Sequence, residues 1–396
     1  MTDPVQDWLT DWDHADPAWA RDPFSITATL RDTCPVARTE RYGGAWLVTT
    51  HELISAVVRD HEAFSSRETG VRPPGTNTKK SPPITSDPPD HGEHRRVLLP
   101  SFAPRYIAGL EDELRRYCKS LIAALPANGR FDAAGRFAQH IPTQAVAMLL
   151  DLPSADAATF RGWVRAIMVQ GHADPGARHD AIAALQQYLR PLLENRRGGD
   201  GTDVLTIVAS EQIDGEPLSD EMAVGMAYLL VVAGIDTTWS ALGTALWHLG
   251  SHPADLARLV AEPELIPGAV EEVLRFYAPV AVGRIAANDV DFAGCPIRAG
   301  ERLLLPFVSA NRDPSAFDRA DEFVIDRAAN RHATFGLGIH RCLGSHLARL
   351  ELRVALEEFI GAFPTFHVPN PEEVEWTPGH VRGPVAVPVE TTGAAQ

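Results

Sequence analysis

The sequence predicts a mainly α protein with small β-sheets, folded as a single domain over residues 1–396. Three observations lead there: helical periodicity dominates the chain, β-like runs are few and short, and no break separates segments able to build cores of their own. The spacing of apolar residues predicts helices over 53–58, 105–125, 143–149, 180–193, 222–249, 269–276 and 343–359. Short runs at 45–49, 290–292, 301–307 and 385–389, bounded by Gly, Pro and Asp, predict strands. The segments 68–89, 171–178 and 196–202 are rich in turn-forming residues but too short for interdomain linkers, and no internal repeat occurs.

Charge and cysteine usage exclude several classes of function. The 36 Lys and Arg against 52 Asp and Glu leave a formal net charge of -16, which repels nucleic acid and anionic membrane surfaces. The four cysteines, Cys34, Cys118, Cys295 and Cys342, contain no CxxC pair, so neither a disulfide framework nor a zinc cluster is expected and a reducing cytoplasm fits. The N-terminus lacks the basic start and apolar stretch of a signal peptide. The longest apolar run, 223–235, is too short for a membrane span, ends at Asp236 and predicts a buried helix. A cytoplasmic monomer is the expectation.

The most informative stretch is Phe335-Gly336-Leu337-Gly338-Ile339-His340-Arg341-Cys342-Leu343-Gly344, in which glycines crowd one cysteine before a periodic helix. Read as residues alone, Cys342 could be a buried structural cysteine. The pattern Phe-Gly-x-Gly-x-His-x-Cys-x-Gly, however, resembles the cytochrome P450 family at every fixed position. The resemblance extends from Cys34-Pro35-Val36 to Arg382-Gly383-Pro384 and implies the cytochrome P450 fold, with Cys342 as the sulfur ligand to the iron of haem b (iron protoporphyrin IX). Phe335, Gly336 and Gly344 would belong to the same cofactor-binding loop. Glycines there allow tight turns close to a flat macrocycle, and a helix beginning at Cys342 would direct its positive end at the sulfur.

Upstream, Ser219 is a suitable N-cap for a helix that His252-Pro253 ends, spanning over ~40 Å at about 1.5 Å per residue. Its middle reads Ala233-Gly234-Ile235-Asp236-Thr237-Thr238, polar and flexible residues in an otherwise apolar helix. Threonines back-bonding in a buried helix would account for part of this. The resemblance implies more: Gly234 leaves room for O2, Thr237 bonds a carbonyl, bends the helix and hydrogen-bonds the bound oxygen, and Asp236 relays protons from solvent.

Glu272 and Arg275 stand one helical turn apart, a spacing shared with Glu93/Arg96, Glu113/Arg116 and Glu194/Arg197, where solvated ion pairs are the plain reading. The family resemblance gives Glu272 and Arg275 a structural role and adds Arg327 to them. It also implies that His91, Arg95, Arg284 and His340 hold the haem propionates, for which cationic donors suit.

By the same resemblance Val232, Ala233, Val280 and Val282 line the substrate pocket, with lids from about 70–83 and 168–172, and small apolar walls suit a small to medium apolar substrate. No length remains for a reductase domain, so a ferredoxin and a ferredoxin reductase are the expected electron donors. Arg341, Arg349 and Arg353 could form their docking patch, or be solvated arginines paired with acids such as Glu357. The expected reaction is insertion of one oxygen atom from O2, typically C–H hydroxylation. Aryl coupling, desaturation or dealkylation on the same scaffold remain alternatives, as does a haem sensor or carrier without turnover. The intact Asp236/Thr237 pair favours O2 over peroxide and counts against the sensor.

Overall fold

A computed structural model describes residues 3–72, 80–172 and 174–392. The helix Asp220–Ser251 is its axis. The Ser219 side chain accepts the Met222 N–H at its start, and Asp220 and Glu221 complement the helix dipole there. Pro253, which cannot continue the pattern, opens the next helix, Pro253–Ala261. By length and composition the long helix could cross a membrane, yet it is the core helix of this fold, with most of its residues from Ala223 to Gly250 buried.

Around it pack the helices His140–Leu149, Pro175–Arg196, Ile266–Tyr277 and Ser345–Ala362, and Glu111–Ala123 packs on the last of these. Trp239, Leu242 and Leu246 of the axis share one core with Leu352, Leu356 and Phe359. That junction fixes how the cysteine loop meets the axis.

A five-stranded sheet lies beside the helices, ordered Val36–Thr39, Ala45–Val48, Arg302–Pro306, Ala281–Ala286, Phe64–Ser65. Its pairings are antiparallel except that between Ala45–Val48 and Arg302–Pro306. Both of those strands are buried, as the continuous Leu303-Leu304-Leu305 run requires.

Several boundaries differ from those the sequence suggests. The segment 105–125 divides into Pro104–Ala108 and Glu111–Ala123. The last strand is Pro388–Thr392, displaced from 385–389, because it pairs with Asn128–Asp132. The helix after the cysteine loop begins at Ser345, not at Cys342. The reason is local: the Cys342 N–H donates to the Phe335 carbonyl at 2.6 Å, closing a loop that must turn before a helix can start.

Candidate active site

A cavity opens where the long helix, the cysteine loop, the helix Asp90–Leu98 and the strand Ala281–Ala286 converge. Gly336 and Gly338 sit in the left-handed region, at φ 70° and 68°, where only glycine is unstrained. A Cβ on Gly338 would also lie 2.7 Å from the Val58 carbonyl oxygen. These turns bring Cys342 to the cavity wall together with Phe335, Gly336, His340 and Gly344. Gly344 caps the following helix at a negative φ and meets only ordinary contacts.

The loop is braced from behind. The Arg349 guanidinium lies 4.4 Å from the Phe335 ring centroid and forms two hydrogen bonds, 2.7 and 2.8 Å, with Glu271. Burial opposes ionisation of Glu271, but His332 and Arg349 hold its pKa down at about 2.

The accessible surface of Cys342 belongs to the cavity and not to the outside of the molecule. Burial therefore raises the thiol pKa, and the Gly344 N–H with Arg95, Arg341 and Arg349 only partly offset this. The helix dipole does not act from Cys342 itself, since the helix starts three residues later. Full deprotonation of such a thiol is what a coordinated metal imposes.

Across the cavity from the loop, Ala233, Gly234, Thr237 and Thr238 supply the wall. The helix runs through them without interruption, and the Thr237 hydroxyl donates to the Ala233 carbonyl at 2.9 Å. Gly234 has a packing role too: a Cβ there would stand 2.7 Å from Val146 Cγ2 on the neighbouring helix. Asp236 is buried; burial pushes its pKa up to about 7, and a hydrogen bond from Trp239 opposes the shift. Val280 and Val282 line the cavity, but Val232 does not. Val232 is one residue, about 100°, off the lining face of the helix and is buried in the core.

Thr69, Pro83 and Ile84 also reach the wall, whereas residues 73–79 of the expected lid lie outside the described residues. None of residues 168–171 lines the cavity; they end the helix Ala157–Met168 and enter a turn.

Four cationic or ionisable side chains gather on one wall. His91, Arg95, Arg284 and His340 all line the cavity, with the His91 and His340 rings 4.4 Å apart. Arg284 is buried, donates to the Gly283 carbonyl at 2.8 Å and has its pKa lowered by burial to about 10. Burial, then the Arg284, His91 and Arg95 charges, lower His340 to about 3. Nε2 of both His91 and His340 is buried with no partner among the described residues. One buried cation, Arg284, one half-buried cation, Arg95, and two imidazole nitrogens without partners call for an anionic group, and two carboxylates on a flat cofactor fit them.

Beneath the site Glu272 and Arg275 are wholly buried and joined by two hydrogen bonds of 2.8 Å. Arg275 also donates to the Asn311, Ala320 and Glu322 carbonyls, and Arg327 reaches Glu272 at 3.1 Å. The same spacing elsewhere yields an exposed pair at Glu93/Arg96, while Arg197 pairs with Asp220 instead.

Sequence reasoning missed Glu351. It is buried on the cavity wall, its Oε2 lacks a partner among the described residues, and burial holds its pKa far above the usual carboxylate range. The signal was available: an acid at a buried position of the helix, between Leu347 and Ala355.

The family description "Cytochrome P450" matches residues 176–383. The chain is 34% identical over 383 residues to the cytochrome P450 monooxygenase PikC of Streptomyces venezuelae, covering 94% of this chain and 91% of that protein. It is 33% identical over 371 residues to the mycinamicin IV hydroxylase/epoxidase of Micromonospora griseorubida, covering 91% and 93% respectively. A mutant of P450 EryK in complex with erythromycin B superposes with a TM-score of 0.86 at 32% identity, over 95% of this chain and 98% of that one. The chain thus belongs to the cytochrome P450 family of haem-thiolate monooxygenases.

Proposed function

We propose that this protein binds haem b through Cys342, with His91, Arg95, Arg284 and His340 holding the propionates, and hydroxylates a C–H bond of a small to medium organic substrate with an apolar skeleton. The observation that carries this is the placement of a cysteine and four cation-forming side chains around a cavity that Thr237 also lines, with Asp236 buried one residue before it. When bound, the haem supplies redox chemistry that no side chain offers: activation of O2 with two delivered electrons.

The chain's own part is positioning and proton transfer. Ala233, Val280 and Val282 exclude water and hold the substrate. The Thr237 hydroxyl, whose hydrogen goes to the Ala233 carbonyl, keeps oxygen lone pairs that can accept a hydrogen bond, and Asp236, with a pKa about 7, can both take and give a proton near neutral pH. Relatives named for mycinamicin IV and in complex with erythromycin B support an organic substrate.

We assign the electrons to a separate ferredoxin and ferredoxin reductase, and the protein to the cytoplasm as a monomer. The docking patch must be smaller than three free arginines: Arg349 pairs with Glu271, and Arg353 with Glu111 and Glu357, leaving exposed Arg341 as its main charge.

Reconstitution tests this reading. With a bacterial ferredoxin, its reductase and NAD(P)H, apolar ligands that shift the Soret band are expected to accelerate reductant consumption, with one labelled oxygen atom from isotopic O2 in the product. Ligand binding without ligand-dependent consumption would favour a sensor or carrier.

A further inference from the structure

Beyond the cavity wall at Thr69 and Leu229 stand two arginines without an acidic partner among the described residues. Arg72 follows the segment that lines the cavity, Arg178 lies in the first turn of the helix Pro175–Arg196, and Tyr228 precedes Leu229 on the long helix. The Nε of each arginine is buried with no hydrogen-bond partner among the described residues. Burial, and after it the Arg178 charge, lower the pKa of Arg72 to about 10; burial likewise lowers Arg178. For both, the one group that offsets this is the Tyr228 phenol, not a carboxylate.

No acid elsewhere fills the gap. Of the acids nearest Arg178 in sequence, Asp174 caps the helix by accepting the Ala177 N–H, and Asp180 is exposed. The side chains of the residues outside those described, at 1–2, 73–79, 173 and 393–396, include no Asp or Glu. Arg178 also stands at the positive end of a helix, where a cation is disfavoured. Its stem is held close, since a Cβ on Gly171 would lie 2.6 Å from Arg178 Cβ. Two like charges kept together, half-buried and unpaired, on a protein of net charge -16, persist at a cost to folding that a bound anion would offset.

We propose that Arg72, Arg178 and the Tyr228 hydroxyl form an anion-binding subsite for the carboxylate of the substrate, an apolar organic acid. The proposal rests on reading the adjoining cavity as the oxidation chamber and defines its substrate class. Tyr228 precedes Asp236 by eight residues, about 12 Å along the helix. The carbon oxidised is therefore remote from the carboxyl group, and the skeleton between them lies along Leu230 and Ala233.

Equilibrium dialysis on the haem-loaded protein tests this with dodecanoate and abietate, each against its methyl ester. The wild type should bind at least one acid tenfold or more tightly than its ester. Arg72→Gln and Arg178→Gln should each cost that acid about tenfold while leaving the ester within about twofold, as expected for loss of a charge-assisted hydrogen bond. Arg72→Lys should restore part of the preference. Both Gln variants should melt no lower than the wild type, because each relieves a repulsion. No preference for either acid in the wild type, or a preference that survives in the Arg72→Gln/Arg178→Gln double variant, would overturn the subsite. The carbon monoxide spectrum reads the haem-thiolate separately: lost acid preference with an intact spectrum sinks only this inference, and the reverse sinks only the oxidation chemistry.

Discussion

At the scale of single residues, the proposed chemistry turns on Asp236 and Thr237. Burial raises the Asp236 carboxyl to about 7, so it is protonated below that pH and ionised above. Asp236→Asn removes the titrating group, and product formation should fall by about 100-fold, the lower range for a lost proton-transfer group. The inflection near pH 7 in the wild-type rate should vanish with it. Thr237→Ser should retain most activity and Thr237→Ala little, because the hydroxyl is what faces the cavity. Unchanged pH profiles in Asp236→Asn would remove Asp236 from the relay. These two residues were visible in the sequence as a polar interruption of an apolar helix, but Glu351 was passed over because one acid on a helix usually reads as solvated.

At the scale of elements, the close approach of two helices depends on Gly234. Gly234→Ala brings a methyl to 2.7 Å from Val146 Cγ2, which should cost about 1–3 kcal/mol of stability by overpacking. The double variant Gly234→Ala/Val146→Ala should recover most of that in urea unfolding, and a neutral Gly234→Ala would show that the helices can separate freely.

Helices with a regular apolar stripe, such as His51–Arg59 and Ile266–Tyr277, were legible in sequence to within a few residues. The helix Asp90–Leu98 was not, because two of its four buried residues are His91 and His94, which erase the apolar period. The strand Ala281–Ala286 was hidden for a similar reason. Gly283 is required there by the approach of the Thr69–Gly70 backbone, since a Cβ would lie 2.8 Å from the Gly70 nitrogen, and Arg284 turns into the cavity. Both elements carry expected cofactor ligands, so periodicity failed where function displaced apolar residues, and only the family resemblance pointed to them. Val232 erred by a single position, since which valine of a helix faces a cavity depends on packing that periodicity does not fix.

The whole molecule is an arrangement for holding a cofactor that its own charges do not satisfy. Arg284 is buried without a carboxylate partner among the described residues, so binding of an anionic cofactor adds directly to folding stability. Removing the haem should lower stability by several kcal/mol, ~4 kcal/mol where the ligand had exceeded its Kd a thousandfold. Arg284→Gln should narrow that difference, as seen by comparing unfolding of loaded and stripped protein. The fold built from the long helix and the cysteine loop makes one claim above all, that Cys342 provides the thiolate. Its most direct test is the reduced-minus-oxidised difference spectrum under carbon monoxide, on the wild type and on Cys342→Ser. A strongly red-shifted Soret band in the wild type, lost in the variant, is expected; an unshifted band, or one indifferent to the substitution, would contradict thiolate ligation by Cys342.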